Sequence, residues 1–542
     1  MVAEAPGTSQ LRTIPQQLEY AAGTWPDKSA IEDGEVTLTF SQLKEAALRG
    51  ARGLIAAGVQ HGDRVGIWAP NCWEWIVAGL AIHLVGGAII PLNTRYRGPE
   101  AAYILEKSGA SALFTVEGFL NTSYVTMLRD AAGGATEAGP VAGLPKLKTL
   151  IVLRGDDAPD TLSWEAFMAG GDAVALETAL ERAAAVQPDD LADILFTSGT
   201  TGAPKGVMAT HEQNLRVFTT WGEVVGLRSD DRYLIVNPFF HAFGYKAGWL
   251  ACLIAGATVL PQPVFDVAET CRRIEDQRVT VLPGPPAIYQ SILLYPDRKK
   301  RDFSTLRVAV TGAASIPVTL IEQMFDELKL ETVLTAYGLT ESCGVVTMCR
   351  QGDAPELIAK TSGRAIPGVE LRIVDSQLQE VPVGEPGQII VRGYNVMKGY
   401  FEDEERTQEA VVNGWLLTGD VGVIDEEGNV QITDRMKDMF ITGGFNAYPA
   451  EIEGSLARHP AIAASAVIGI PDERMGEVGA AFLVLKDGHT IDEEELYAWC
   501  RTQMANYKVP RRFIVLPELP RNATGKVTKF ELREMIKAES AS

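Results

Sequence analysis

Cysteine is scarce and dispersed: Cys72, Cys252, Cys271, Cys343, Cys349 and Cys500 include no C-x-x-C pair. That spacing argues against both a zinc site and a disulfide framework, and it favours a reducing cytoplasm. Positive charge is in deficit, with 49 Lys and Arg against 70 Asp and Glu, a net charge of -21. Such a balance disfavours a large nucleic-acid or anionic-membrane footprint, so an anionic substrate must meet a local basic pocket. No long uncharged apolar run is present. The most membrane-like stretch, Ile76 to Leu92, contains His83 and glycines and ends beside Pro91, so it reads as a buried helix followed by a strand. Met1 to Gln10 has no apolar centre and is not a signal peptide, and the last residues are not a peroxisomal address. Internal repeats and low-complexity segments are also missing.

What remains is a 542-residue chain, 46% hydrophobic and 22% charged, with the composition of a globular protein too long for one core. Strand and helix patterns alternate through Arg64–Ala69, Trp73–Leu84, Ile151–Leu153, Ile194–Phe196, Tyr233–Val236 and Arg307–Thr311. This alternation predicts an α/β fold, a mostly parallel sheet flanked by helices. Ser41 is expected to cap a helix that ends at Gly58. Weak periodicity from about 133 to 190 reads as surface elaboration. Past Gly368, short strands and turn dipeptides predict a small antiparallel β unit, about 366–434. A compact α+β module follows, with a helix at Glu493–Gln503 and a last helix from Thr528, where Thr528 and Glu531 have capping-box spacing.

The chemistry concentrates in a few stretches. Thr197, Ser198, Gly199, Thr200, Thr201, Gly202, Ala203, Pro204, Lys205 and Gly206 follow the apolar run Ile194–Phe196. Glycines that let backbone N–H groups approach, four hydroxyls and one ammonium suit a polyphosphate. The spacing is not that of the G-x-x-x-x-G-K-S/T loop, because Gly206 follows Lys205. A second turn, Thr311, Gly312, Ala313, Ala314 and Ser315, closes a strand and leaves room for a flat ring. In Ala336, Tyr337, Gly338, Leu339, Thr340 and Glu341, the phenol can stack on a base and Thr340 can bond a phosphate oxygen, while Glu341 can hold magnesium. Asp420, in Trp415–Asp420, suits the two hydroxyls of a ribose. Lys526 lies in a loop before the last helix, where most lysines are solvated.

Together with Asp434–Asp438, these motifs resemble, in order and spacing, the acyl-adenylate-forming enzymes: acyl-CoA synthetases, coumarate ligases, luciferases and peptide-synthetase adenylation domains. The resemblance runs from about Leu11 to Ile536. It implies an N-terminal ATP- and acyl-binding domain over 1–434, a hinge at 435–437 centred on Lys437, and a mobile lid over 438–542. It also implies an ATP-dependent ligase that makes an acyl adenylate, releases pyrophosphate and passes the acyl group to coenzyme A. Catalysis then rests on positioning and charge stabilisation. In that scheme Lys526 bridges the carboxylate and the α-phosphate, and the loop from Thr197 to Lys205 holds the β- and γ-phosphates. Glu341 with Thr197 attends the magnesium, Asp420 and Arg435 bind the ribose, and the lid then turns to open a coenzyme A channel along Gly443 and Gly444. Ile441 and Asn446 stand where the coumarate ligases have lysine and glutamine.

The family builds its acyl pocket around Phe240, His241, Tyr245 and Lys246, with His241 at the gate position. Lys246 interrupts an apolar run and reads either as snorkelling to solvent or as bonding an oxygen in the distal part of the substrate. The segments 239–248 and 280–290 also resemble actinobacterial ligases of steroid breakdown, which activate a bicyclic indane propanoate bearing ring ketones. A medium-chain fatty acid is the alternative acid. Transfer to a carrier protein and light emission are lesser alternatives. Arg298, Lys299, Lys300 and Arg301 read as a solvated loop or a contact for coenzyme A phosphates. Oligomeric state, a homodimer included, stays open.

Overall fold

The computed structural model describes residues 11–134, 139–156, 158–197, 204–312, 316–435, 439–486, 488–520, 527 and 529–540. Two sheets form the body of the larger domain. One has eight strands in the order Gly399–Tyr400, Lys205–Thr210, Leu191–Thr197, Ala88–Pro91, Arg64–Trp68, Ala112–Thr115, Thr149–Val152 and Leu162–Ser163. From Leu191–Thr197 onward its pairings are parallel; the two at the other edge are antiparallel. The second joins Arg232–Ile235, Thr258–Pro261, Ser29–Asp33 and Val36–Thr39 to Val308–Gly312, Thr332–Tyr337, Thr347–Met348 and Arg364–Ala365, through single bridges at Val281.

The helix Phe40–Ala56 shows how sequence positions these layers. Its cap is Thr39 rather than Ser41: the Thr39 hydroxyl accepts the Gln42 N–H, and the Gln42 side chain accepts the Thr39 N–H. Phe40, Leu43, Ala47, Ala51 and Leu54 are buried along one side. The stretch expected to be surface elaboration is instead partly core. It forms helices Trp164–Gly170 and Leu176–Ala185, and Trp164, Phe167 and Met168 are buried. Two aromatics outweigh weak periodicity, because each buried large side chain contributes about 1.5–3 kcal/mol. Phe167 packs edge-on against Phe114, 5.2 Å between centroids, and lies where a Cβ on Gly53 would come within 2.8 Å of its ring.

Beyond this body lies a five-stranded antiparallel unit of Val369–Val374, Gly387–Gly393, Trp415–Ile424, Val411–Val412 and Val430–Arg435. The last module is a separate five-stranded sheet in which Ile462–Asp472 and Gly476–Leu485 form a long hairpin. Helices Pro449–Leu456, Glu493–Gln503 and Lys529–Ser540 belong to it. Its apolar clusters draw on residues from Phe440 to Ile536, whereas the main core draws on Ile14 to Val430. The hinge residue Lys437 and the cap Thr528 lie outside the described residues. No described helix is long and apolar enough to cross a membrane, and all six cysteines are free and buried.

Candidate active site

Thr197 closes one strand and Lys205 opens the next; the two face each other in antiparallel register. The loop between them, with Ser198, Gly199, Thr200, Thr201 and Gly202, lies outside the described residues, as do Ala313 and Lys526. Lys205 Nζ sits 3.0 Å from Glu341 Oε1, and both side chains are largely shielded from solvent. Tyr400 completes the group. Its hydroxyl donates to Glu341 Oε1 at 2.8 Å and contacts the Lys205 ammonium, which also lies 3.8 Å from the Tyr400 ring centroid. Burial alone would raise the Glu341 carboxyl, but Lys205 and Tyr400 outweigh it and hold the group below the usual carboxylate range.

Sequence distance explains why Tyr400 was not among the residues expected here. It arrives on the short edge strand Gly399–Tyr400, paired with Val207–Met208 on the strand that Lys205 opens. Nothing local in Gly399-Tyr400-Phe401 marks that placement.

Glu341 lies in the tight turn Thr340–Ser342, which follows the strand Thr332–Tyr337. The chain bends so closely at Gly338 that a Cβ there would lie 2.2 Å from the Gly344 carbonyl oxygen, so only glycine fits. Gly312 and Ala336 are in parallel register at the C-terminal ends of adjacent strands. That is where ligands bind in open α/β sheets. Tyr337 and Asp420 meet directly, with the phenol donating to Asp420 Oδ2 at 2.6 Å. Asp420 is also in backbone register with Arg435.

A magnesium ion would find two suitable groups here. Thr197 Oγ1 is buried without a hydrogen-bond partner among the described residues, and Glu341 is an ionised carboxylate facing the same strand pair. Among the described residues no three His, Cys, Asp or Glu converge as a metal cage. That donor set suits magnesium, which is usually held by one or two protein oxygens together with phosphates and water.

The expected acyl residues divide. His241 caps a short helical turn, its Nδ1 accepting the Phe243 N–H at 3.2 Å, so the neutral ring carries its proton on Nε2. Its ring is open to solvent on one side yet crowded by protein, and that crowding lowers its pKa. Phe240 is half-buried and stacks on Phe445 of the C-terminal module, 6.5 Å apart with planes 19° from parallel. Tyr245 and Lys246 turn inward, contrary to expectation. The Tyr245 hydroxyl meets His83 Nε2 at 3.0 Å and its ring stacks on Trp249. Lys246, 1% exposed, neither snorkels nor lines an open pocket, because Asp193 pairs with its ammonium at 2.9 Å. Burial would lower the lysine, but Asp193 outweighs it and keeps it charged.

Gly443 and Gly444 form the turn of the hairpin Phe440–Ala447, with φ of 57° and 86°. Left-handed backbone at both positions is what a two-residue hairpin of this kind demands. A Cβ on Gly444 would lie 3.8 Å from Pro285, so the turn abuts the larger domain beside Phe240. Three of the four residues in the basic run are paired locally: Arg298 with Glu327, Lys300 with Asp297 and Arg301 with Glu275.

The cluster of Lys205, Glu341 and Tyr400, the contact of Tyr337 with Asp420 and a small module carrying a glycine turn belong to a chain of the adenylate-forming class. The AMP-binding enzyme family matches residues 18–401 and its C-terminal domain family matches 451–526; the chain belongs to this family and is an AMP-forming acyl-CoA synthetase that uses ATP, magnesium and coenzyme A. A 7a-methyl-1,5-dioxo-octahydroinden-4-yl propanoyl:CoA ligase of Rhodococcus jostii is 49% identical, over 97% of this chain and 99% of that protein. The human mitochondrial medium-chain acyl-CoA ligase is 34% identical over 97% and 88%. Among solved structures, o-succinylbenzoate CoA synthetase from Bacillus subtilis, bound with a product analogue, superposes with a TM-score of 0.78 at 29% identity, covering 96% and 98%. ATP-bound MatB from Rhodopseudomonas palustris gives 0.67 at 30% identity, covering 96% and 99%.

Proposed function

We propose that this synthetase activates a steroid-derived bicyclic propanoate with ring ketones. The observation that carries the assignment is the likeness to the Rhodococcus ligase, which is spread over essentially the whole of both chains. Lys526 bridges the substrate carboxylate and the α-phosphate while pyrophosphate leaves. Lys205 and the loop before it take the outer phosphates, with Thr340 on a phosphate oxygen. Thr197 and Glu341 would hold magnesium, which when bound would supply positive charge against the phosphates. Tyr337 stacks on the base beside Gly312, Ala313, Ala336 and Gly338, and Asp420 and Arg435 take the ribose. The ion pair of Lys205 with Glu341 keeps the two buried charges compensated.

The module over 438–542 then acts as a lid turning about Lys437, with the thiol of coenzyme A entering past Gly443, Gly444 and the gate His241. Support comes from the glycine turn standing against Pro285 and from Phe445 lying on Phe240. The enzyme works in a reducing cytoplasm, as six free buried cysteines suggest.

Pyrophosphate release over an acid panel, with and without coenzyme A, tests the assignment. The indane propanoate is expected to exceed an alkyl acid of equal size by about tenfold in kcat/KM, or ~1.4 kcal/mol. Equal values would favour a medium-chain fatty acid, the acid class named for the human relative. Lys526→Ala should reduce adenylation by about two orders of magnitude or more while sparing conversion of supplied acyl adenylate.

A further inference from the structure

Lys508 belongs to the C-terminal module, yet it is 2% exposed and buried against the other domain. Its ammonium lies 2.7 Å from Glu100 Oε1 of the larger domain and 2.5 Å from Glu451 Oε1 of its own module. The Tyr96 ring covers it from the larger domain, 4.6 Å from ammonium to centroid. The neighbouring Tyr507 stacks on Phe445, 4.7 Å between centroids, and Phe445 in turn lies on Phe240. One cation is thus held between one carboxylate that would travel with it and one that would stay behind.

We infer that Lys508 and Glu100 form a latch that holds the lid in its coenzyme A-accepting position and so positions the second half-reaction. The inference rests on the reading of residues 438–542 as a moving lid. A charge pair buried only in one lid position favours that position by its differential interaction and by nothing else. Neither residue touches the nucleotide groups described above. Weakening the latch lowers the fraction of enzyme competent for coenzyme A, and the apparent affinity falls by the same fraction.

Glu100→Gln isolates the effect. Glu100 Oε2 also accepts the Arg97 N–H at the start of helix Gly98–Ser108, and glutamine serves that capping role equally well. The variant should therefore fold normally and lose only the charge facing Lys508. With acyl adenylate supplied, the KM for coenzyme A should rise about tenfold while kcat at saturation stays within about twofold. Pyrophosphate release without coenzyme A should be unchanged or faster. Lys508→Gln should show the same split, larger in size.

A readout independent of catalysis is the distance between fluorophores on Leu294→Cys and Val515→Cys, both positions exposed and all native cysteines buried. Glu100→Gln should broaden or shift the ligand-free distribution. An unchanged distance distribution together with an unchanged KM for coenzyme A overturns the latch. Equal losses in both half-reactions also overturn it, by making Glu100 a structural residue. Failure of the unsubstituted enzyme to release pyrophosphate with any acid would instead strike the functional reading, and the distance measurement would still decide the latch.

Discussion

Lys246 Nζ lies 2.9 Å from Asp193 Oδ1, with both side chains essentially without exposure. The pair binds three site segments from beneath. Asp193 precedes Thr197 on the strand Leu191–Thr197, Lys246 follows His241, and Cys343, 3.7 Å from the same ammonium, follows Glu341. Asn214 secures the other oxygen of Asp193 at 2.6 Å. Removing one member of a buried pair strands the other charge, so Lys246→Met should destabilise the larger domain by about 3–5 kcal/mol in urea melts. The ratio of kcat/KM for a keto acid over an alkyl acid should not move. A changed ratio with little loss of stability would return Lys246 to the substrate pocket.

Tyr400 fastens both members of the Lys205 and Glu341 pair, and its own pKa is raised, by burial and then by the Glu341 charge. Tyr400→Phe removes hydrogen bonds to two charged groups, Glu341 and Lys205, each worth about 1.5–3 kcal/mol. The expected result is a tenfold or larger rise in the magnesium and ATP concentrations needed for half-maximal adenylation, with the KM for the acid unchanged. Titrations of each substrate at saturation of the others measure this. An equal rise for the acid would mean general disorder of the site.

At Gly444, size and backbone conformation can be separated. Asparagine tolerates left-handed backbone, whereas leucine there adds strain of roughly 1–2 kcal/mol as well as bulk. Gly444→Asn should retain much of the thioester-forming rate. Gly444→Leu should accumulate acyl adenylate with little acyl-CoA, visible by chromatography of quenched reactions. Matching rates in the two variants would deny that the thiol passes this turn.

His211 is buried, its Nδ1 accepting the Ile14 N–H at 3.3 Å, and burial lowers its pKa to about 3. In the unfolded chain it titrates near 6.5, so below that pH the unfolded state binds the extra proton. Its contribution is complete above about pH 6.5 and falls by about 1.4 kcal/mol per unit as pH drops towards 3. His83, 5.1 Å away ring to ring, is shifted in the same direction, chiefly by burial. Urea midpoints measured from pH 7.5 to 4.5 should decline less steeply in His211→Gln. Parallel declines would show that His211 does not set the acid sensitivity.

The nucleotide motifs could be proposed before any coordinates, because nucleotide chemistry is local. Hydroxyls, glycines and a lysine within ten residues, or Tyr337 beside Glu341, announce themselves by type and spacing. The helices Trp73–Leu84 and Glu493–Gln503 were likewise legible and lie over the residues expected. Lys246 was not, since a lysine in an apolar run has two opposite meanings until its partner is known.

By itself the sequence determined the fold class and the family's ordered motifs, both of which depend on short-range pattern. Tertiary structure alone decided that Asp193 meets Lys246, that Tyr400 clasps Glu341 and Lys205, and that Glu100 meets Lys508 across 408 residues. Such pairs are chosen by burial, where a charge must find its opposite whatever the distance along the chain, and no local pattern records which partner that is.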